Sequence, residues 1–439
     1  MPKTVRQSIS HSNWNNQRFC SNQATDLKRI SGEFDREFSS WVEYGDKSPN
    51  INQITIQPLA TAYKPAEKPL QLSDFVIKPY LARSDLWAGW QILSTIGPMA
   101  GLWLMVDWIG HSSLPLVEQS ALLFPVLSLM VLLSSRSFSL MHDCGHSSLF
   151  QSRWLNRSVG FLLGVINAIP QHPWSRGHAF HHKHNGNWER YRGPAALLSL
   201  EQYKKLSDRS KLFYAISRHP LMLFPGGFFY LVIKPRVTLI LGVSEFLLKQ
   251  VSQLISSFKQ NGLRCLLEVP KSCRNHRSSY WYTKGELADL IANNIVVVSS
   301  WILMCQWLGA GLFWCCYSLV MTVSAAIFIC IFFVQHNYKE SYAHGSGDWN
   351  YVEAAISGSS NLDIPLWLNW FFADISFHSI HHLCERIPNY RLKDCHLENQ
   401  NLLKSSKILR LRDIPDCFDY ILWDSEGQRL ITIAEAKSS

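Results

Sequence analysis

The sequence has no Cys-x-x-Cys pair, although it holds eleven cysteines in 439 residues. Zinc clips and dithiol redox motifs use that spacing, so neither is supported. The cysteines are scattered. Cys305, Cys315, Cys316 and Cys330 sit in apolar runs and read as small buried hydrophobes in a reducing compartment. Zinc-finger spacing and a basic helix are also lacking, which argues against a nucleic-acid partner despite a net charge of +9. That charge suits anionic lipid headgroups or an acidic protein. No apolar core of secretory-signal length lies near Met1. The most informative lack concerns cations. No Lys or Arg occurs between Asp85 and Ser135, nor between Gly285 and Tyr338.

Four apolar runs fill those two stretches: residues 87–110, 116–133, 290–308 and 312–334. Each approaches the roughly 20 residues that a membrane helix needs. Residues 111–115 and Gly309-Ala310-Gly311 read as the turns of two hairpins. Asn293 and Asn294 are expected to face the protein interior or an entrance. All 42 basic residues then lie on the side that holds both termini. By the positive-inside rule that side is cytoplasmic, or its organellar equivalent. The 17 Trp and 23 Phe suit interfacial belts. Residues 159–170 are too short to span and are expected at the interface. Residues 221–242 are long enough, but Lys234-Pro235-Arg236 interrupts them, so they read as interfacial or re-entrant.

The expected fold is mainly α. It is an integral membrane protein with two transmembrane helical hairpins (four spans) and a cytoplasmic helical cap. Residues 1–69 are polar and are expected to be disordered. Residues 70–400 form the membrane domain. Residues 401–439 form a C-terminal cytoplasmic tail, with short strands expected around Asp424-Ser425-Glu426-Gly427.

What the sequence has in quantity is clustered histidine. His142 and His146 stand at i and i+4. His178, His181 and His182, and again His378, His381 and His382, stand at i, i+3 and i+4. On a helix each set points off one face. These eight are nearly half of the 17 histidines, and His336 follows the fourth apolar run at once. The hairpins put all nine on one membrane face. Nine imidazoles exceed one ion and suit two. Neutral imidazole suits iron, copper, zinc or nickel, and only a redox metal would activate dioxygen. His11, His111, His172, His219, His276 and His396 read as structural or solvent-exposed. His184 breaks the spacing of its cluster, and His344 is a weak candidate.

With these residues in view, the sequence resembles the membrane-bound fatty acid desaturases of the acyl-lipid, methyl-end type. The likeness rests on His142-Asp-Cys-Gly-His146, His178-x-x-His181-His182, Phe333-Val334-Gln335-His336, and His378-x-x-His381-His382 running into Ile387-Pro388-Asn389-Tyr390. It implies a di-iron centre on the cytoplasmic side, with the eight box histidines and His336 as ligands and O2 as co-substrate. It implies oxygen-dependent desaturation of long-chain fatty acyl groups in membrane lipids, of delta-12/omega-6 or omega-3-like type. Asp143, Asn185 and Asp374 are candidates for orienting the ligand rings. Fused members carry a cytochrome domain marked His-Pro-Gly-Gly. Here Phe224-Pro225-Gly226-Gly227 stands instead, so a separate ferredoxin or cytochrome b5 is implied as electron donor. Animal acyl-CoA members complete the site with an Asn one turn before the extra histidine, where this chain has Phe332. The alternatives are a related di-iron hydroxylase or carotenoid ketolase, and a non-enzymatic metal-binding membrane protein or transporter.

Overall fold

The computed structural model describes residues 69–191, 196–262, 276 and 278–438. The polar segment expected over residues 1–69 lies outside them, apart from Pro69. The described chain is mainly α. It includes four helices long and apolar enough to cross a membrane: α1 (Asp85–Gly110), α2 (Leu116–Gly145), and further on α7 (Lys284–Leu308) and α8 (Ala310–Val334). Between them lie α3 (Arg153–Ile166), α4 (Gln171–His184), α5 (Asp208–Arg218) and α6 (Lys234–Asn261). After α8 come α9 (Tyr351–Ser357), α10 (His378–Leu383) and α11 (Asn389–Glu398).

Each hairpin has a local cause. Ser84 caps α1 by accepting from Trp87 N. Between α1 and α2, the Gln119 side chain donates to the carbonyls of Ser112 (3.1 Å) and Leu114 (3.0 Å) and so satisfies the turn. Between α7 and α8 the turn is Gly309 alone, at φ +79°, a conformation only glycine adopts without strain. Helix α2 does not stop where its apolar run does. Its 30 residues make about 45 Å of helix, beyond the roughly 30 Å hydrocarbon core, and its last turns carry His142 out of the span.

Asn293 and Asn294 do face inward. Asn293 donates to Ile169 O (3.2 Å) and accepts from Arg236 (3.2 Å), while Asn294 donates to Leu290 O (2.8 Å). Lys234-Pro235-Arg236 interrupts the apolar run but not the helix. A short helix, Leu223–Phe228, runs through a π turn, Phe229–Ile233, straight into α6. Pro235 has no N–H to give back along this continuous helix, and Arg236 Nη1 donates to the Leu231 carbonyl at 3.4 Å in its place. Arg236 turns inward and donates to Ala168 O at 2.5 Å.

Five short strands accompany the helices. β1 (Leu198–Ser199) pairs in parallel with β4 (Leu422–Asp424), which pairs antiparallel with β5 (Arg429–Ile431). β2 (Asn361–Asp363) pairs in parallel with β3 (Ile408–Arg410). The β4–β5 hairpin is the one expected around Asp424-Ser425-Glu426-Gly427. The described residues within 66–240 and 283–439 form one compact unit, which holds all nine clustered histidines. In the second unit, Glu245 pairs with Lys249 (2.6 Å) and accepts from Ser278 Oγ (2.9 Å).

Candidate metal centre

Four pieces of chain supply the histidines. The end of α2 carries His142 and His146, α4 carries His178, His181 and His182, His336 lies two residues past α8, and α10 carries His378, His381 and His382. Helix α10 has only six residues and is held by its neighbours: Tyr351 Oη, on α9, donates to His382 O at 2.8 Å. The nine rings converge and divide. His142, His146, His178, His182 and His381 form one group, and His181, His336, His378 and His382 another. Within each group the candidate ligand atoms all lie within 4.8 Å of one another.

The residues fit a pair of cations. In the first group the Nε2 atoms of His178 and His182 are 3.0 Å apart, and those of His182 and His381 3.1 Å. In the second, Nε2 of His378 lies 3.0 Å from that of His336 and 3.1 Å from that of His382. Two nitrogens bound at about 2.1 Å and at right angles around one ion stand about 3 Å apart. Nε2 of both His142 and His146 is buried with no hydrogen-bond partner. Burial first, and neighbouring rings second, hold His178, His181, His182, His378, His381 and His382 well below the usual imidazole range. His336 is lowered by burial to about 4, against the opposing effect of its hydrogen bond to Gly358 O. Neutral rings with free nitrogens are the form that binds metal.

The other ring nitrogen of several of these histidines is held. His142 Nδ1 lies 3.0 Å from Asp143 Oδ1, and Asp143 Oδ2 accepts from Asn389 N at 3.0 Å. The Asn389 side chain in turn pairs with Gln91 on α1. This ties the Pro-Asn-Tyr segment to the first span through the metal site. His336 Nδ1 donates to Gly358 O at 2.9 Å. Of the three residues expected to orient rings, only Asp143 touches one. Asn185 donates to Gly358 O (3.3 Å) and meets His336 only through that carbonyl. Asp374 accepts from Asn369 Nδ2 at 2.5 Å and reaches no ring.

Two contacts escaped the sequence reading. Glu385 Oε2 lies 3.3 Å from His146 Nδ1 and 3.9 Å from His182 Nδ1. Its position three residues beyond His382 was the available signal. Gly358 acts through its backbone, which no side-chain motif reports. On the side of the spans, the groups meet an aromatic layer. Trp174 stacks on His178 at 4.8 Å. Phe332 faces His142 (5.7 Å), His178 (5.9 Å) and His378 (6.1 Å), and so touches both groups. Phe138 stacks on Phe328 at 3.7 Å behind them. His184 and His344 stay out of both groups, stacked on Phe180 (4.4 Å) and Tyr342 (4.0 Å).

Comparison with known proteins agrees with this geometry. The profile of a family described as fatty acid desaturase matches residues 118–411. The fatty acid desaturase of Bacillus subtilis is 27% identical over 348 residues, 79% of this chain and 86% of that protein. The sn-1 oleoyl-lipid 12-desaturase of Synechocystis sp. is 23% identical over 361 residues, 78% of this chain and 86% of the relative. The Delta(12) acyl-lipid conjugase (11E,13E-forming) of Impatiens balsamina is 24% identical over 258 residues, 58% of this chain and 59% of the relative.

Proposed function

This chain belongs to the fatty acid desaturase family, and from that premise we propose that it is an oxygen-dependent acyl-lipid desaturase with a di-iron centre. The observation that carries the proposal is the division of nine histidines, seven of them buried, into groups of five and four with neighbouring ring nitrogens 3.0–3.1 Å apart. His142, His146, His178, His182 and His381 would hold one iron. His181, His336, His378 and His382 would hold the other. The desaturase domain is taken as residues 70–400, and the segment 401–439 returns to it where β3 pairs with β2.

Bound iron would supply the redox chemistry by which dioxygen removes two hydrogens from an unactivated methylene pair. The chain's own residues do the rest. Asp143 fixes the tautomer of His142, and the Gly358 carbonyl fixes that of His336. Phe332, Trp174 and Phe138 keep the span side of the site dry and offer an apolar wall to the acyl chain. The Synechocystis relative's name, an oleoyl-lipid 12-desaturase, supports an acyl-lipid substrate and the delta-12/omega-6 alternative over the omega-3-like one. The two electrons come from a separate ferredoxin or cytochrome b5. The site and both termini lie on the cytoplasmic side, a reading supported by the stretches without Lys or Arg.

The test is expression in a host without polyunsaturated lipids, followed by double-bond mapping of its fatty acids. New double bonds and bound iron are expected. A product heavier by one oxygen would point to the hydroxylase, and metallated, reduced protein without any product would overturn the enzyme reading.

A further inference from the structure

Helix α5 takes no part in the metal site, and its amphipathicity is inside out. Tyr214 faces inward, with its ring 6.0 Å from Tyr203 and its hydroxyl donating to Ile421 O at 2.5 Å. The outward stripe is Arg209, Leu212, Phe213 and Ile216, at i, i+3, i+4 and i+7. Leu212 is 62% exposed, Phe213 72% and Ile216 51%. A helix on a water-facing cap carries polar residues on that stripe.

The exposed apolar surface continues past the helix through Leu221, Met222 and Phe224. There the chain enters the short helix Leu223–Phe228, which packs on α8. A Cβ on Gly227 would stand 2.8 Å from that of Ala325. Ala325 lies nine residues, or about 14 Å, before the end of α8, well inside the span. The segment that follows α5 therefore runs at bilayer depth, and α5 stands where the chain enters. On its N-terminal side are Lys204, Lys205 and Arg209, all exposed, and Lys211. The acids nearby are Glu201, which accepts from Ser425 at 2.6 Å, and Asp208 in the first turn of α5.

We propose that α5 lies in the bilayer interface, with Leu212, Phe213 and Ile216 among the acyl chains and Lys204, Lys205 and Arg209 on the headgroups of anionic glycerolipids. The surface is independent of the metal chemistry, so its test stands apart from the desaturase reading.

The experiment uses the full chain in lipid nanodiscs made of equal parts phosphatidylglycerol and phosphatidylcholine, with a photo-crosslinking benzoylphenylalanine at position 213. Lipid adducts are expected, with phosphatidylglycerol favoured about fivefold, the worth of one cation at a charged surface. Raising the salt concentration shrinks the preference. The variant K204E/K205E/R209E brings it to parity. Adducts to a second copy or another protein, no lipid adduct, or equal capture of both lipids by the unmutated chain at low salt would each overturn the proposal.

Discussion

The carboxylate of Glu385 stands 3.3 Å from Nδ1 of His146 and 3.9 Å from Nδ1 of His182, while its side chain stays 40% exposed. One acidic group thus stands behind His146 of the five-histidine group, with His182 next to it. Partners of this kind are worth about 10–100-fold in metal affinity. E385Q should therefore lose iron about tenfold faster under a chelator than the unmutated chain, and E385A faster still. Iron per chain against time after chelator addition is the measurement.

His381 and His336 belong to different groups. H381A and H336A should each abolish turnover, and each should bind less iron than the unmutated protein. Metal analysis of purified, reconstituted protein decides it. Full iron content in H336A would remove His336 from the ligand set.

Phe332 faces rings of both groups and is the centre of the dry wall. F332A opens space for water beside the site. Reduced oxygen should then escape before it meets the acyl chain. Hydrogen peroxide released per double bond formed should rise, while bound iron stays unchanged.

Asp374 is half-buried near Arg136, and that burial lifts its carboxyl to about 6, from 3.8 in the open chain. The sign follows. Between those values the folded state holds more protons than the unfolded one, so this group makes stability fall as pH rises from about 4 to about 6. D374N removes that slope. Asn also tolerates the left-handed backbone at this position, φ +54°, so the substitution isolates the charge. Thermal unfolding of the full chain in detergent across that pH range reads the difference.

Much of this was legible in the residues. Spacings of three and four placed the rings on helix faces, and missing Lys and Arg located the hairpins. Asn293 and Asn294 could be placed because lipid offers them no partner. What stayed hidden depends on contacts between distant segments. Asp374 looked like a ring partner because it precedes the third cluster, but it accepts from Asn369 instead. Lys234-Pro235-Arg236 marked the run 221–242 as something other than a plain span, but its sequence did not show that Arg236 donates to the Ala168 carbonyl. Glu385 is a lone acid beside a histidine cluster, and only its contacts with His146 and His182 mark it.

The histidine groups draw on α2, on α4, on the residue that follows the last span, and on α10. His142 and His381 share a group although they stand 239 positions apart in the sequence. Neither group can be complete until the ribosome has passed His382. Any metal held by these groups would therefore be loaded late in biogenesis, after the last apolar helix has been made. A chain truncated before α10 can insert its four apolar helices but cannot form either site.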